Sequence, residues 1–293
     1  MAPEGMTATG QDPGQGDLLL VCATAFEMRA ALSDIPGAEA CDLSRWGRDA
    51  PLGRNAEELP VLRFPGRGVR LLVCGVGPVA AALNLAGVLG GAPAGSFSGV
   101  VNLGIAGTYT PAELPLGAAV LADAECFPEY GVWPESDECL REDAGRTGAL
   151  LLAGMPLPLR FAQGGLPSGP VFGRISLDAH NALGNMGLNC HTDLRIGSSV
   201  TVSGVSGTER RARRLAALTG GGTENMEGFA LALGAAAWGL PFAEIRTVSN
   251  EAGRRSPHGW DMDAAVASLG RTARCLFAPL FIPEYIVNDS CRN

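Results

Sequence analysis

The chain contains no lysine; all 22 of its basic residues are arginine. That excludes a Schiff-base lysine, a phosphate-loop lysine and a kinase-type lysine together. Histidine is scarce: His180, His191 and His258 stand at no spacing that would share a metal ion. The eight cysteines, Cys22, Cys41, Cys74, Cys126, Cys139, Cys190, Cys275 and Cys291, form no CxxC pair. Cys22 and Cys74 lie inside apolar runs, where free cysteine behaves as a small hydrophobe. Neither a metal nor a disulfide framework is expected. No apolar run reaches the roughly 18 residues of a membrane-spanning helix without a glycine, a proline or a charge. The opening "MAPEGMTATGQDPGQGD" has no basic or apolar region of the secretory kind. These absences predict a cytoplasmic protein with no membrane partner. A net charge of -8 excludes bulk nucleic-acid binding, which needs a basic footprint.

What is present is a chain of 293 residues, 46% of them hydrophobic, enough for one large α/β domain with a sizeable core. We expect a disordered tail over 1–16, a single domain over 17–280 and a second tail over 281–293. "DLLLVCAT" (17–24), "VLRF" (61–64), "VRLLVCGVG" (69–77), "SGVVNLGIAG" (98–107) and "GAAVLADAECF" (117–127) read as strands. So do the stretch entering "SGVSGT" from 195 and residues 241–249. Helical spacing follows at "FEMRAALSDI", with Phe26, Ala30 and Ile35 as inward positions, and at 78–90, with Pro78 in the first turn. Further helices are expected over 209–220, about 225–238 and 260–280. Apolar strands alternating with helices predict a sheet covered on both faces. Residues 131–193, rich in Gly and Pro, read as an irregular, lid-like segment with one short helix.

Three stretches carry chemistry. "GVGPVA" (75–80) matches a GxGxxA turn, but the first acid after Gly75 is Glu113, far beyond the roughly 20 residues a dinucleotide fingerprint requires. The plainer reading is a tight strand-to-helix turn, and no cofactor is expected. In "ATAFE" (23–27), Glu27 follows the carboxyl end of the first strand, where α/β sheets bind ligands. The alternative is a surface glutamate favoured by the helix dipole. "TENMEG" places Glu227 at the start of a bland, alanine-rich segment. Glu224 could serve the free N–H groups of that helix, which leaves Glu227 without a structural task. Asn250 ends the next strand, as a ligand contact or as a turn residue.

"LLVCATAFEMRAAL", "VVNLGIAGTY", "TVSGVSGT" and "ENMEGFALALGAAAWGLPFAEIRTVSN" occur in the order found in the nucleoside phosphorylase and nucleosidase superfamily, which the chain resembles over most of 17–280. Within it the chain looks most like the futalosine hydrolase family of a menaquinone pathway, and is similar to the methylthioadenosine/S-adenosylhomocysteine nucleosidases. The resemblance implies a three-layer α/β/α sandwich with a mixed, mostly parallel central sheet, and a homodimer or higher homo-oligomer acting on a small-molecule nucleoside. It implies that Glu227 grips the ribose hydroxyls with Asn225 and Met226 beside the sugar. Glu27 would be the general base toward water. Gly104, Ile105, Ala106 and Gly107 would lie along base or sugar, and Ser249 and Asn250 would face the purine. Where adenine-specific relatives end this strand in "SD", this chain ends it in "SN". An amide donates to N7 or to a 6-oxo group, which points to hypoxanthine as the base. Related phosphorylases clamp phosphate with arginines near the first loop and at the position of Asn102; only Arg29 stands close here, on the outer face of its helix. Water is therefore the expected nucleophile. Arg254, Arg255 or an arginine of the irregular segment are the candidate partners for the carboxylate at the far end of such a substrate. The readings left open are a methylthioadenosine/S-adenosylhomocysteine nucleosidase, a purine nucleoside phosphorylase and a non-catalytic purine or nucleoside binder.

Overall fold

The computed structural model describes residues 16–41, 55–129, 173–189 and 194–281. The expected tails, most of the lid-like segment and Cys139, Cys190, His191 and Cys291 lie outside the described residues. Nine strands and six α-helices are described: β1 Asp17–Cys22, α1 Ala25–Leu32, β2 Val61–Phe64, β3 Arg67–Val73, α2 Pro78–Gly91, β4 Phe97–Thr108, β5 Ala119–Cys126, β6 Arg174–Ser176, α3 Ala179–Asn185, β7 Arg195–Thr201, α4 Glu209–Thr219, β8 Thr223–Asn225, α5 Gly228–Ala237, β9 Phe242–Glu251 and α6 Met262–Phe281.

The sheet runs β2-β3-β1-β4-β8-β7-β5-β6, and β9 pairs with both β4 and β5. Strands β4, β8, β7, β5 and β9 therefore close into a ring, while β1, β3 and β2 extend from it as an open sheet. Five of the nine pairings are parallel. Alternate residues of β1 go to opposite layers: Leu18, Leu20 and Cys22 pack with α1, α3 and α6, while Leu19 and Val21 pack with α2 and α5. Both faces are apolar because both are covered. The architecture is the expected α/β sandwich with a mixed sheet.

Local chemistry explains the ends of the elements. Thr24 and Glu27 form a capping box at the start of α1. Pro78 opens α2 where its missing N–H costs nothing. Of the expected inward positions Ala30 and Ile35 are buried, but Phe26 is 47% exposed; Met28, Ala31 and Leu32 complete the inner face of this short helix. The helix expected from about 225 begins three residues later, because Asn225 still belongs to β8. Glu224 does not cap it. Its carboxylate accepts from Ser206 N at 2.8 Å and from the Tyr109 hydroxyl at 2.9 Å. Within 173–189, the expected irregular stretch contains strand β6 as well as the short helix α3. No described helix is long and apolar enough to cross a membrane.

Candidate active site

The carboxyl ends of β1, β4 and β9, the 75–77 turn and the start of α5 bring the expected acids together. Glu27 is 5% exposed, so it is not a surface glutamate. Its Oε2 accepts from the Thr24 N–H at 2.9 Å and the Thr24 hydroxyl at 2.8 Å. Its Oε1 accepts from Ile105 N at 3.1 Å. A carboxylate offers about four lone-pair sites, so one on Oε1 is left for a further donor.

Glu227 is the N-cap of α5, with no side-chain bond to its own helix. Its Oε1 accepts from Gly77 N at 2.9 Å, and Oε2 lies 3.7 Å from Arg246 Nη1. The glycine turn that resembled a dinucleotide fingerprint thus serves to hold a carboxylate. Gly77 has φ of 93°, a conformation L side chains rarely adopt. Burial raises the carboxyl of Glu227 above its ordinary range, against the opposing pull of Arg246 and the Gly77 N–H.

Arg246, not singled out from the sequence, is the cation of the site and is 1% exposed. Burial alone would lower its pKa; Glu244, Glu227 and Glu27 outweigh that, and the net shift is upward. Its Nε donates to Glu244 Oε1 at 2.8 Å. Gly104 is what allows this meeting. A Cβ there would stand 2.5 Å from Arg246 Nη1 and 2.8 Å from Glu27 Oε1. One bare glycine surface therefore faces a guanidinium and a carboxylate oxygen with an open lone pair.

Asn225 is 4% exposed and its amide is committed to the interior. Oδ1 accepts from Glu227 N at 2.9 Å and Gly228 N at 2.8 Å, supplying the cap of α5; Nδ2 donates to Glu125 Oε1 at 2.6 Å. Met226, half-buried, packs with Cys126, Val200, Val202 and Leu215.

Four residues past Arg246, at the carboxyl end of β9, the pairing with β4 shifts register after Ala106, so that Asn250 lies opposite Gly107. Ser249 Oγ donates to Asn250 Oδ1 at 2.9 Å and to the Ala106 carbonyl at 3.3 Å. With Oδ1 so engaged, Nδ2 is the donor: one hydrogen goes to the Glu251 carbonyl at 3.2 Å, and the missing side chain of Gly107 leaves room at the nitrogen for a further acceptor, since a Cβ there would come within 3.1 Å. The cavity at this end is lined by Gly107, Ser206, Glu224, Asn250, Arg254 and Arg255, among others. Arg254 is held by Glu251 at 2.8 Å and lies 3.8 Å from Glu209. Both arginines thus border the same space as Asn250.

Asn102 is buried on β4 beside Glu244, and neither of its amide atoms has a hydrogen-bond partner among the described residues. Arg29 is exposed. Cys74 is buried, and burial together with Glu227 and Glu27 pushes its thiol well above the usual range, so no thiolate is available there. Among the described residues no group of three or more His, Cys, Asp or Glu could hold a metal ion.

The arrangement can present a water to an electrophilic carbon from Glu27, hold hydroxyl groups on Glu227 and offer an amide donor to a heterocycle. The profile of the phosphorylase superfamily matches residues 18–278. A futalosine hydrolase of Streptomyces coelicolor is 31% identical over 258 residues, spanning 86% of this chain and 91% of its own. One from Thermus thermophilus is 32% identical over 213 residues, spanning 73% and 83%. Among solved structures, native futalosine hydrolase of Helicobacter pylori superposes with a TM-score of 0.62 at 16% identity, covering 90% of this chain and 97% of its own. A 5'-methylthioadenosine/S-adenosylhomocysteine nucleosidase of the same organism, bound to butyl-thio-DADMe-Immucillin-A, gives 0.62 at 17% identity over 90% and 97%.

Proposed function

The chain belongs to the phosphorylase superfamily, and from that premise we propose that it hydrolyses the N-glycosidic bond of futalosine, releasing hypoxanthine and dehypoxanthinyl futalosine in menaquinone biosynthesis. The curated relatives supply the substrate. The observation that carries hydrolysis is the open lone pair of Glu27 Oε1 beside Arg246 Nη1 over Gly104. Two buried carboxylates, Glu27 and Glu227, border that position. They favour a neutral nucleophile there and oppose an anionic phosphate.

The steps follow from the charges. The bond between the anomeric carbon and the purine breaks with its electron pair leaving on the base. Positive charge grows on the sugar and negative charge on the purine. Water attacks the anomeric carbon and gives a proton to Glu27, which acts as general base. Glu227 takes the ribose hydroxyls and stabilises the positive sugar, with Met226 against the ring. Asn225 sets Glu227 in place through its backbone N–H. The 104–107 backbone lies along the ligand, where glycine permits close approach. Asn250, oriented by Ser249, donates to N7 or to the 6-oxo group. An amide cannot serve as a general acid, so the departing purine is hydrogen-bonded by this residue and takes its proton from solvent. Because Arg254 and Arg255 share the cavity of Asn250, they belong to the purine end in this pose, and not to the far carboxylate.

The protein acts as a homodimer or larger homo-oligomer in this reading. Phe26, Val76, Val79 and Leu83 are apolar and 47–72% exposed. Phe26, Val76 and Val79 adjoin Glu27 or the Gly77 turn in sequence, and Leu83 follows Val79 one turn along α2, so a second copy covering them would close the rim of the site. A cytoplasmic setting fits the five described cysteines, all free thiols. The test is purified protein supplied with futalosine, inosine and methylthioadenosine, with and without phosphate. Hypoxanthine released from futalosine without phosphate is expected. Adenine from methylthioadenosine and none from futalosine would make it the adenine-type nucleosidase, and strict phosphate dependence would make it a phosphorylase. Saturable purine binding with no turnover of any nucleoside would make it a binder.

A further inference from the structure

Beneath the site lies a second pair of acids for which the reaction has no use. Glu125 of β5 and Glu244 of β9 are both 0% exposed. They approach each other under the first residue of α5: a Cβ on Gly228 would collide with Glu125 Oε1 and with Glu244 Oε2 at once. Their partners differ in kind. Glu244 Oε1 accepts from the guanidinium of Arg246 at 2.8 Å, with a longer contact from Asn225 Nδ2 at 3.3 Å. Glu125 accepts from two neutral donors, Thr201 Oγ1 at 2.8 Å and Asn225 Nδ2 at 2.6 Å. The oxygen of Glu244 turned toward Glu125, Oε2, is buried and receives no hydrogen bond from any described group.

Two carboxylates in one dry site do not both ionise, because neither their repulsion nor their lost hydration is compensated. A single proton resolves this arrangement. Carried by Glu125, it donates to the unserved Oε2 of Glu244 and leaves Glu244 charged against Arg246. Carried by Glu244, it would set a neutral acid beside a buried guanidinium and an anion among neutral donors. We propose that Glu125 and Glu244 share one proton as a carboxylic acid–carboxylate pair, with Glu125 as the acid and Glu244 as the ionised member that fixes Arg246 against Glu227. Burial and the neighbouring Glu244 push the carboxyl of Glu125 well above its ordinary range, in the same direction. Both are positioning residues: neither reaches the open face of Gly104, and their effect on catalysis passes through Arg246. Gly228 is required for the pair, since any side chain there would separate the two acids.

The proposal rests on the hydrolase reading for its kinetic consequence, and on the structure alone for the shared proton. The test compares full-length wild type, Glu125→Gln and Glu244→Gln in futalosine turnover, thermal melting and infrared absorption of protonated carboxyl groups at neutral pH. We expect Glu244→Gln to lower kcat by about tenfold or more, the cost of losing a charged hydrogen-bond partner, with a smaller change in KM. Glu125→Gln should lower kcat by clearly less, because an amide can still donate to Glu244, and should remove a protonated-carboxyl band that wild type shows. Equal kinetic losses in the two variants, or a band that survives Glu125→Gln, would overturn the assignment. If Glu125→Gln does not fold, the wild-type spectrum decides: no protonated carboxyl at neutral pH overturns the pair. Failure of wild type to release hypoxanthine defeats the hydrolase reading and leaves the infrared result standing on its own.

Discussion

Arg246 Nη1 stands 3.7 Å from Glu227 Oε2, and both side chains are almost wholly shielded from water. A buried pair broken on one side leaves an uncompensated charge, which typically costs about 3–5 kcal/mol. Arg246→Ala should therefore lower the melting temperature as well as abolish turnover. Arg246→Lys, which keeps the charge without the planar fork, should recover stability more than activity. Melting curves beside kcat for the two variants check this.

Glu27→Gln should reduce kcat by about 10²–10⁴, the range of a lost general base, with purine binding kept. Glutamine also completes the capping box of α1, so the melting temperature should change little. An active variant would remove Glu27 as the base.

Gly104→Ala inserts a methyl group between Arg246 Nη1 and Glu27 Oε1. Turnover should fall by about tenfold or more, a loss of only 1.4 kcal/mol or so in transition-state energy. Hypoxanthine binding, four residues further along β9 at Asn250, should change little. Calorimetric titration with hypoxanthine separates the two effects.

Asn250→Asp replaces the outward amide donor by an acceptor. The ratio of kcat/KM for futalosine to that for methylthioadenosine should fall by at least about tenfold, since a site missing a required hydrogen-bond group discriminates strongly. An unchanged ratio would take base recognition away from this residue.

The pH dependence of stability tests the deeper acids. The folded-state pKa of Glu125 is raised above its ordinary 4.5, by burial first and by Glu244 next. The folded protein therefore holds a proton that the unfolded chain gives up. The associated stability is complete below 4.5 and is lost as pH rises through the raised value. The charged groups that act on Glu125 are Glu244 and Arg246, both on β9. Denaturation midpoints measured upward from pH 5 should fall less steeply in Glu125→Gln than in wild type.

Val79→Glu and Leu83→Glu place charges on the exposed apolar face of α2. Each should shift the protein toward monomer in sedimentation, with the fold retained.

Strands and helices were legible in the sequence because burial on both faces writes uninterrupted apolar runs. Boundaries were less so. "TENMEG" read as a helix start because its carboxylate lies at the edge of an alanine-rich run, yet Asn225 is held in β8 and caps α5 from there. Phe26 has helical spacing but falls on the outer side of the first turn of a short helix, whose inner side is taken by Ala25 and Met28. Glu27, Glu227 and Asn250 were visible as polar residues at the ends of elements. Arg246 and Glu244 carried a signal too: two charges, two residues apart, on one face of a run otherwise fit for the core. Glu125 in "LADAECF" is the same signal on another strand. What no single stretch contains is the convergence of β5, β7, β8 and β9 on Gly228, which depends on closure of the ring.

Strand β9 is hydrogen-bonded along both edges, to β4 and to β5. It therefore works as a graduated rule. Arg246 and Asn250 are marks four residues apart, at most about 13 Å at 3.3 Å per residue, with the register shift after Ala106 fixed between them. The rule cannot slide, because a one-residue slip would turn every mark to the opposite face. Descendants of such a chain can change their choice of base by rewriting the mark at position 250. They cannot do so by moving that mark relative to the sugar clamp. New substrates on this scaffold must arrive by substitution at fixed distances, and insertions belong beyond the ends of the strand.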